Sequence, residues 1–485
     1  MNLFPYQETG RRWLKGHNSS VLLLADGMGL GKTPQVATAF HSLNLNRVLV
    51  IGPAISRWNW QREIKDWTGQ PAQVLTKLED QPAHKGIVIC SYDYVRLSAD
   101  YPRRLLWMRS PWQLVVLDEA HLLKPKEDDT SARTVAVLGA CGIARFADRV
   151  WFVTGTPMPN HAGELWLFAS FAGLANLDYQ DWTKRYCTGY RMGTRFCING
   201  TKREAIPELK RLVMQSGLVL RRKKEEVRLD LPPVTYGEIT VDAPELDDTA
   251  LLHQFPSFVL EDPQGGRRAL LEKVEAERSL VQVALGDLGA MTQEKLDWLQ
   301  AHAKGIATLI RYNGLLKVNG VVELIEKEIR ASPEGKYRKY ALFAENKGTI
   351  ETLRERLRIY GAVTLYGKTN DRRRKRNVDD FNTKMDTQVI IGHFITAGTN
   401  ISLVGGQDML IVQMPFVPGL LDQAVKRMDR IGQKRSVLVR FVSLANDPLD
   451  RAIVSMLKRK TQEISAVMDE DALFANVGRK VDDLL

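Results

Sequence analysis

Residues 21–33 read VLLLADGMGLGKT. An apolar run, Val21–Ala25, passes into a glycine-rich turn and then into Lys32-Thr33, after which the apolar positions take helical spacing. A strand that delivers a glycine loop to the start of a helix is a phosphate cradle. Glycines let backbone N–H groups approach an anion, and the helix N-terminus adds its dipole. The candidate nucleotide site is therefore Asp26, Gly27, Met28, Gly29, Leu30, Gly31, Lys32 and Thr33. Lys32 is placed to neutralise phosphates and the Thr33 hydroxyl to ligate Mg²⁺.

Further short runs rich in β-branched residues flank this unit. They are Arg47–Gly52, Gly86–Cys90, Gln113–Leu117 and Val150–Thr154, then Tyr340–Ala344, Gly361–Leu365, Gln388–Gly392, Asp408–Gln413 and Val437–Val442. Amphipathic stretches such as Trp58–Trp67 separate them. Short buried strands alternating with helices predict parallel α/β sheets. Residues 245–334 differ: they are rich in Leu, Glu, Lys, Ala and Gln at helical spacing, with breaks expected near Gly265-Gly266 and Gly286–Gly289. The expected organisation is an α/β lobe over 1–240, a helical insertion and linker over 241–334, a second α/β lobe over 335–470 and a tail over 471–485.

Three more segments supply chemistry. Asp118-Glu119-Ala120-His121 follows the apolar run QLVVL, so both carboxylates stand at a strand C-terminus, where α/β sheets bind ligands. Asp118 is the candidate Mg²⁺ ligand and Glu119 the candidate general base for an attacking water. Gln7, in Pro5-Tyr6-Gln7, is a candidate reader of adenine's edge. Residues 423–435 read QAVKRMDRIGQKR. There Arg427 and Arg430 are spaced to share a helix face as arginine fingers, flanked by Gln423.

The chain has 485 residues, 44% hydrophobic and 26% charged, with a formal charge of +11 and a pI near 9.3. That balance favours a polyanionic partner. No apolar stretch reaches the length of a membrane span. The N-terminus MNLFPYQETGRRWL lacks the layout of a signal peptide, so a cytoplasmic or nuclear protein that is not secreted is expected. Cys90, Cys141, Cys187 and Cys197 form no metal pattern and are expected as free thiols. The densest basic run is Asp371–Arg376, where Arg372, Arg373 and Lys375 are candidate phosphate contacts while Val378 and Phe381 face the core. Lys202-Arg203 and Arg221–Lys224 are further basic clusters. Trp13, Trp58, Trp60 and Trp67 are expected in the core.

The glycine loop, the DEAH box and the RIGQ string, in that order, resemble the Swi/Snf-like ATPases of helicase superfamily two. The layout is most similar to the compact annealing-helicase and fork-remodelling branch and its small viral or bacterial relatives. Residues 52–60 (GPAISRWNW) resemble a motif that lies on the DNA backbone, which implies Pro53, Ser56 and Arg57 as contacts. Ser91-Tyr92 resembles the next motif, and Lys124 stands where the family often has a Lys after the DEAH box. Thr154-Gly155-Thr156-Pro157 with Asn160 resembles the segment that links hydrolysis to lobe movement. Residues 220–227 (LRRKKEEV), 365–368 (LYGK) and 396–401 (TAGTNI, with Thr396 a DNA contact) continue the resemblance. Asp26 fits the family's form of the loop, whereas Gly27 replaces its usual Glu.

The resemblance implies two RecA-like lobes of parallel sheets flanked by helices, with a helical insertion between them. It implies an ATP- and Mg²⁺-dependent, DNA-stimulated ATPase that tracks along double-stranded or branched DNA as a monomer, with other replication, repair or recombination proteins as partners. A strand-separating helicase on RNA or single-stranded DNA would carry the same ATP site. A binding module with a decayed ATPase would draw support from Gly27, against the intact Lys32, Asp118, Glu119, Arg427 and Arg430.

Overall fold

The computed structural model describes residues 2–98, 111–125, 131–192, 195–224, 226–227, 232–243, 246–256, 263–286, 292–331, 337–366, 371–394, 401–430 and 432–468. They form two compact units, Met1–Leu229 with Glu463–Glu470, and Asp230–Gln462.

The first unit is built on β1 (Val21–Leu24), β2 (Arg47–Gly52), β3 (Ala72–Val74), β4 (Gly86–Ser91), β5 (Leu114–Asp118) and β6 (Val150–Val153), a two-stranded ribbon of β7 (Cys187–Met192) and β8 (Arg195–Thr201), and β9 (Val219–Leu220). Seven strands form one sheet in the order β3-β4-β2-β5-β6-β1-β9, and every pairing in it is parallel. The expected strands are continuous apolar runs because both faces are covered. Leu23, Leu49, Val88, Val115 and Phe152 enter one core. Their neighbours Leu22, Val48, Ile87, Leu114 and Trp151 enter the other. Each such side chain, once buried, contributes about 1.5–3 kcal/mol.

The second unit carries β10 (Val234–Val241), β11 (Tyr340–Phe343), β12 (Val363–Leu365), β13 (Val389–Gly392), β14 (Asp408–Ile411) and β15 (Val437–Leu444). Their order is β10-β15-β14-β11-β13-β12, again parallel throughout. One expectation is corrected here. β10 pairs along its whole length with β15, so residues 234–240 belong to the second unit and the expected boundary at 240 moves to Leu229. Its run VTYGEITV is interrupted by Gly237 and Glu238, which disguised an edge strand. Gly265-Gly266 lie in the first turn of the helix Pro263–Leu285, which follows the helix Asp248–Gln254 and ends at Gly286 with φ +67.

The helices Pro263–Leu285, Gln293–His302 and Ala307–Ala331 are not a separate body either. Leu270, Val274, Leu299, Leu315 and Val321 share one core with Leu342 and Met409 of the second sheet and with Ile350 of the helix Lys347–Arg356. Glu277, buried, accepts the backbone N–H of Leu309 at 2.7 Å and so caps the first turn of the helix Ala307–Ala331. That helix is fastened to the sheet by a buried ionic cluster. Arg440 pairs with Glu328 of the helix and, at 3.0 Å, with Asp408 of β14. Arg338 reaches Asp408 at 3.1 Å, and the Tyr340 hydroxyl donates to Glu328 at 2.9 Å.

Removing one member of such a cluster leaves a buried charge exposed to low dielectric. Arg440→Leu should destabilise the second unit by about 3–5 kcal/mol. Adding Asp408→Asn should recover part of that loss. Denaturant unfolding of both variants reads it; equal midpoints for wild type and Arg440→Leu would show the cluster to be inert.

Candidate nucleotide site

Three neighbouring strands of the first sheet end level with one another. Leu24 of β1 and Asp118 of β5 both pair with Val153 of β6. The C-terminal extensions of these strands are the loop 25–31, the DEAH box and Thr154-Gly155-Thr156. Segments far apart in sequence thereby meet at one sheet edge.

The loop enters the helix Lys32–Ser42 through Gly31, whose φ of +69 makes it a left-handed N-cap. The Lys32 ammonium donates to the carbonyls of Asp26 at 2.9 Å and Gly27 at 3.4 Å, along the concave side of the turn. Thr33 follows it in the first helical turn. Gly155 closes the other side: a β-carbon there would lie 2.4 Å from Met28 Cγ and 3.1 Å from Lys32 Nζ.

Asp26 does something other than its position in the motif suggested. It is fully buried, and its carboxylate takes a two-pronged ion pair from Arg222, whose Nε reaches Oδ1 at 2.9 Å and whose Nη2 pairs with Oδ2. Gln35, also buried, donates to Asp26 Oδ2 at 3.0 Å and accepts from Arg222 at 2.7 Å. Arg221 donates to the Ala25 carbonyl at 2.8 Å, and the Gly27 N–H reaches the Arg222 carbonyl at 3.0 Å. The basic cluster 221–222 is thus a strut behind the loop, and the Asp26 side chain faces the strut. Gln7 is engaged in a similar way. Its amide oxygen accepts the Phe4 N–H at 3.0 Å and its amide nitrogen donates to the Leu30 carbonyl at 3.1 Å. Both ends act on backbone, tying the helix Pro5–Gly16 to the loop.

Asp118 is ringed by donors. The Trp60 indole N–H donates to Oδ2 at 2.9 Å, and the Tyr92 hydroxyl donates to the Asp118 carbonyl at 2.8 Å. Burial, and then the neighbouring Glu119 charge, push the Asp118 carboxyl above the usual range, against the pull of Trp60, Lys32 and Ser56. Glu119 adopts φ +50, ψ 49, a left-handed conformation that costs a non-glycine residue on the order of 1–3 kcal/mol. Strain of this kind, held by surrounding structure, concentrates at functional positions. Its Oε2 is buried and accepts no hydrogen bond, with His121 Nδ1 at 3.3 Å. His121, its pKa lowered by burial, also reaches Thr154 Oγ1 at 2.8 Å and Thr156 Oγ1 at 3.4 Å. That chain joins the DEAH box to the TGTP segment.

The donor set fits a magnesium–nucleotide complex. Thr33 and Asp118 offer hard oxygen ligands, and Mg²⁺ is ordinarily shared between one or two protein oxygens and substrate phosphates. Among the described residues no group of three or more His, Cys, Asp or Glu could hold a metal by itself.

The residues expected on DNA divide. Ser56 is 2% exposed and its hydroxyl donates to the Pro53 carbonyl at 3.0 Å, beneath Asp118. Ser91 is 6% exposed and accepts the Tyr94 N–H at 3.0 Å as a helix cap. Both are corrections, since their hydroxyls are turned into the protein. Pro53 is half-buried, and Arg57 is held by the carbonyls of Ala54 at 2.9 Å and Leu75 at 2.8 Å. Lys124 pairs with Glu164; burial acts to raise that carboxyl, but Lys124 and then His161 hold it below the ordinary range. On the helix Asp371–Thr383, Arg372, Arg373, Lys375 and Arg376 are exposed, while Asn377, Val378 and Phe381 are buried. Thr396 lies outside the described residues. Trp13 and Trp67 are half-buried and Trp60 is in the core, whereas Trp58 is 53% exposed, contrary to expectation.

In the second unit the helix Pro418–Met428 carries Gln423 and Arg427, both 7% exposed. Arg430 does not share its face, because the helix ends two residues earlier; its guanidinium donates to the Ile401 carbonyl at 3.1 Å. The chain then turns through Gly432 at φ +103. Gln433 locks that turn: its amide nitrogen donates to the Gly406 and Met428 carbonyls at 2.9 and 3.2 Å, and its oxygen accepts from the N–H groups of Lys434 and Arg435.

The model of the SNF2-related domain matches residues 6–255. A SWI/SNF-related matrix-associated actin-dependent regulator of chromatin subfamily A-like protein 1 homolog from Caenorhabditis elegans is 25% identical over 96% of this chain and 62% of its own length. The human DNA annealing helicase and endonuclease ZRANB3 is 24% identical over 96% of this chain and 40% of its own. The chain therefore spans 62% or less of these curated relatives. Among solved structures, the Sulfolobus solfataricus SWI2/SNF2 ATPase core in complex with dsDNA is similar at 19% identity and a TM-score of 0.42, covering 97% of this chain and 98% of that one.

Filling the gap opposite the loop should disturb it directly. Gly155→Ala should weaken nucleotide binding by about 1–3 kcal/mol, the usual cost of overpacking, with secondary structure intact by circular dichroism. Equilibrium titration with a fluorescent ATP analogue measures the loss; unchanged affinity would mean that the close approach of Gly155 to Met28 and Lys32 is unimportant.

Proposed function

The chain belongs to the SNF2-related domain family, and on that premise we propose that it is a DNA-stimulated ATPase that translocates along double-stranded or branched DNA. The observation that carries this reading is the level ending of β1, β6 and β5, which gathers Lys32, Thr154–Thr156 and Asp118-Glu119 at one edge.

In the proposed mechanism ATP lies along the loop, with its phosphates against the N-terminus of the helix Lys32–Ser42. Lys32 exchanges its two loop carbonyls for phosphate oxygens. Magnesium, held by Thr33 and Asp118, would neutralise phosphate charge. Glu119 takes a proton from the attacking water, with its Oε2 beside His121 Nδ1 at 3.3 Å. The left-handed backbone at Glu119 aims the carboxylate away from the strand direction that Asp118 follows. Gln7 and Gln35 position the loop, and the adenine-reading role of Gln7 would require its amide to leave Phe4 or Leu30. Arg427 and Arg430 are the proposed arginine fingers on transition-state charge, with Gln423 beside them. His121, bonded to Thr154, is the proposed route by which the state of the γ-phosphate reaches the rest of the motor.

The exposed cations of the helix Asp371–Thr383 support a grip on phosphates rather than bases, the kind of contact that lets a motor step without reading sequence. Both relatives described above are longer proteins, and the human one is named a DNA annealing helicase. Forks and junctions are accordingly the proposed substrates alongside plain duplex.

Steady-state ATPase rates with no nucleic acid, duplex DNA, forked DNA, single-stranded DNA and RNA test the reading. Duplex or forked DNA should stimulate turnover. Lys32→Ala should abolish it, and Glu119→Gln should lower it about 10²–10⁴-fold while retaining ATP binding. Stimulation by RNA or single strands alone would replace the translocase with a strand-separating helicase. Parent-rate hydrolysis by Glu119→Gln would remove Glu119 from the role of base.

A further inference from the structure

The second sheet reverses its strand order at a point that none of the roles above uses. From β11 the chain proceeds to β12 and β13, which lie on one side of it. β14 lies on the other side and leads to β15. β11 and β14 are direct neighbours, with Phe343 level with Ile411. Such a reversal opens a crevice beyond the strand C-termini, where α/β sheets bind ligands. Here the crevice is a cavity of about 230 Å³ within the second unit. Glu345 and Asn346 after β11 and Gln413 after β14 line it, and the helix Ala307–Ala331 reaches it through Ile310, Arg311 and Asn313.

The polar groups inside call for donors. Lys317 is buried and its ammonium is matched by Asp450 at 2.8 Å. Asn313 is 3% exposed and its amide nitrogen donates to Asp447 at 2.8 Å, but its Oδ1 is buried and accepts no hydrogen bond from the described residues. Glu345 Oε1 is buried in the same condition, while Oε2 stands 3.9 Å from His393 Nε2. Burial pushes this carboxyl up to about 7. Gln413 is held in place: it accepts the Asn346 N–H at 3.1 Å and donates to the Ile310 carbonyl at 3.3 Å. Gly314 leaves room for that amide, since a β-carbon there would lie 2.1 Å from Gln413 Nε2. Buried acceptors that lack donors favour a ligand that brings N–H groups. Much of the remaining wall is apolar, from Met414, Phe416, Leu449 and Ile453. Arg311, which is exposed, pairs with no carboxylate among the described residues.

A solvated crevice is the plainer account, but water, at about 30 Å³ a molecule, leaves the apolar wall unmatched. We propose that this cavity takes a nucleobase bearing an amino group, with its N–H donors against Glu345 and Asn313, its ring faces against Phe416 and the aliphatic wall, and its phosphate toward Arg311. Glutamate accepts from the amino group of cytosine, and bases taken out of a stack are held by edge hydrogen bonds between aromatic and apolar side chains. The base can belong to an unpaired nucleotide in DNA or to a free nucleotide. The first source rests on the DNA-motor reading and the second does not.

The test uses the full chain with ADP saturating the nucleotide loop. One probe is deoxycytidine monophosphate; the other is a fluorescent duplex with a single extrahelical cytosine, thymine or abasic residue. Extrahelical cytosine should tighten binding roughly 5- to 150-fold over the abasic duplex, the worth of one stacked base. Thymine, which turns a carbonyl toward Glu345, should gain less. Ile310→Trp fills the cavity from its half-buried wall; it should remove the gain and leave the abasic duplex bound as before. Glu345→Gln keeps the shape but can donate, so it should erase the preference for cytosine over thymine, and it decides alone if Ile310→Trp fails to fold. If the extrahelical base makes no difference while deoxycytidine monophosphate binds the wild type and not Ile310→Trp, the site serves a free nucleotide and the proposal stands in that form. Equal responses of the wild type and both variants to both probes would overturn it. Duplex-stimulated ATPase of the wild type, measured alongside, reports on the motor reading separately.

Discussion

Register across parallel strands is the constraint from which the rest of the first unit follows. Because Leu24, Val153 and Asp118 are level, the segments after them emerge side by side and must share one small volume. Only residues that tolerate crowding fit between them, which is why a glycine stands at 155 against Met28 and Lys32. The same crowding explains the strain at Glu119. The chain has to leave β5 while keeping two adjacent carboxylates apart, one against Trp60 and the other toward His121, and a left-handed residue does this in a single step. A slip of one residue in β5 would send Asp118 to the opposite face and dismantle the arrangement.

Much of this was legible in sequence, for a physical reason. Strands buried on both faces read as continuous apolar runs, so β1, β2, β4, β5 and β6 and most of the second sheet could be located. Elements that carry polar residues or are very short could not: β10 is an edge strand with Gly237 and Glu238, β9 has two residues, and the ribbon β7–β8 lies outside both large sheets. Lys32, Asp118 and Glu119 were legible because their chemistry is contiguous with a strand end. Their supports were not, because Arg222, Gln35, Trp60 and Tyr92 arrive from distant segments and nothing local marks them. Ser56 and Ser91 misled because a hydroxyl in a motif serves equally well as a phosphate donor and as a partner for the local backbone. Both are buried: Ser91 caps a helix, and Ser56 donates to the Pro53 carbonyl.

The motif at 430–433 likewise joins two kinds of constraint that its spelling cannot separate. Arg430, the proposed arginine finger, stands beyond the helix end and donates to the Ile401 carbonyl. Gly432 and Gln433 have no chemistry to perform. One supplies a positive φ, and the other closes the turn with four hydrogen bonds.

The buried pair of Asp26 and Arg222 bears on the replacement of the family's Glu by Gly27. An ion pair in low dielectric is a poor source of net stability but a strong source of position, since breaking it leaves a charge uncompensated. Here it is reinforced by Gln35, by Arg221 on the Ala25 carbonyl, and by the Gly27 N–H on the Arg222 carbonyl. The loop backbone is therefore fixed on its outer side by residues beyond β9, independently of any side chain at 27. A glycine at that position removes one carboxylate from the site without loosening the turn that shapes it. The cradle can keep its geometry because the restraint sits behind the loop and not within it.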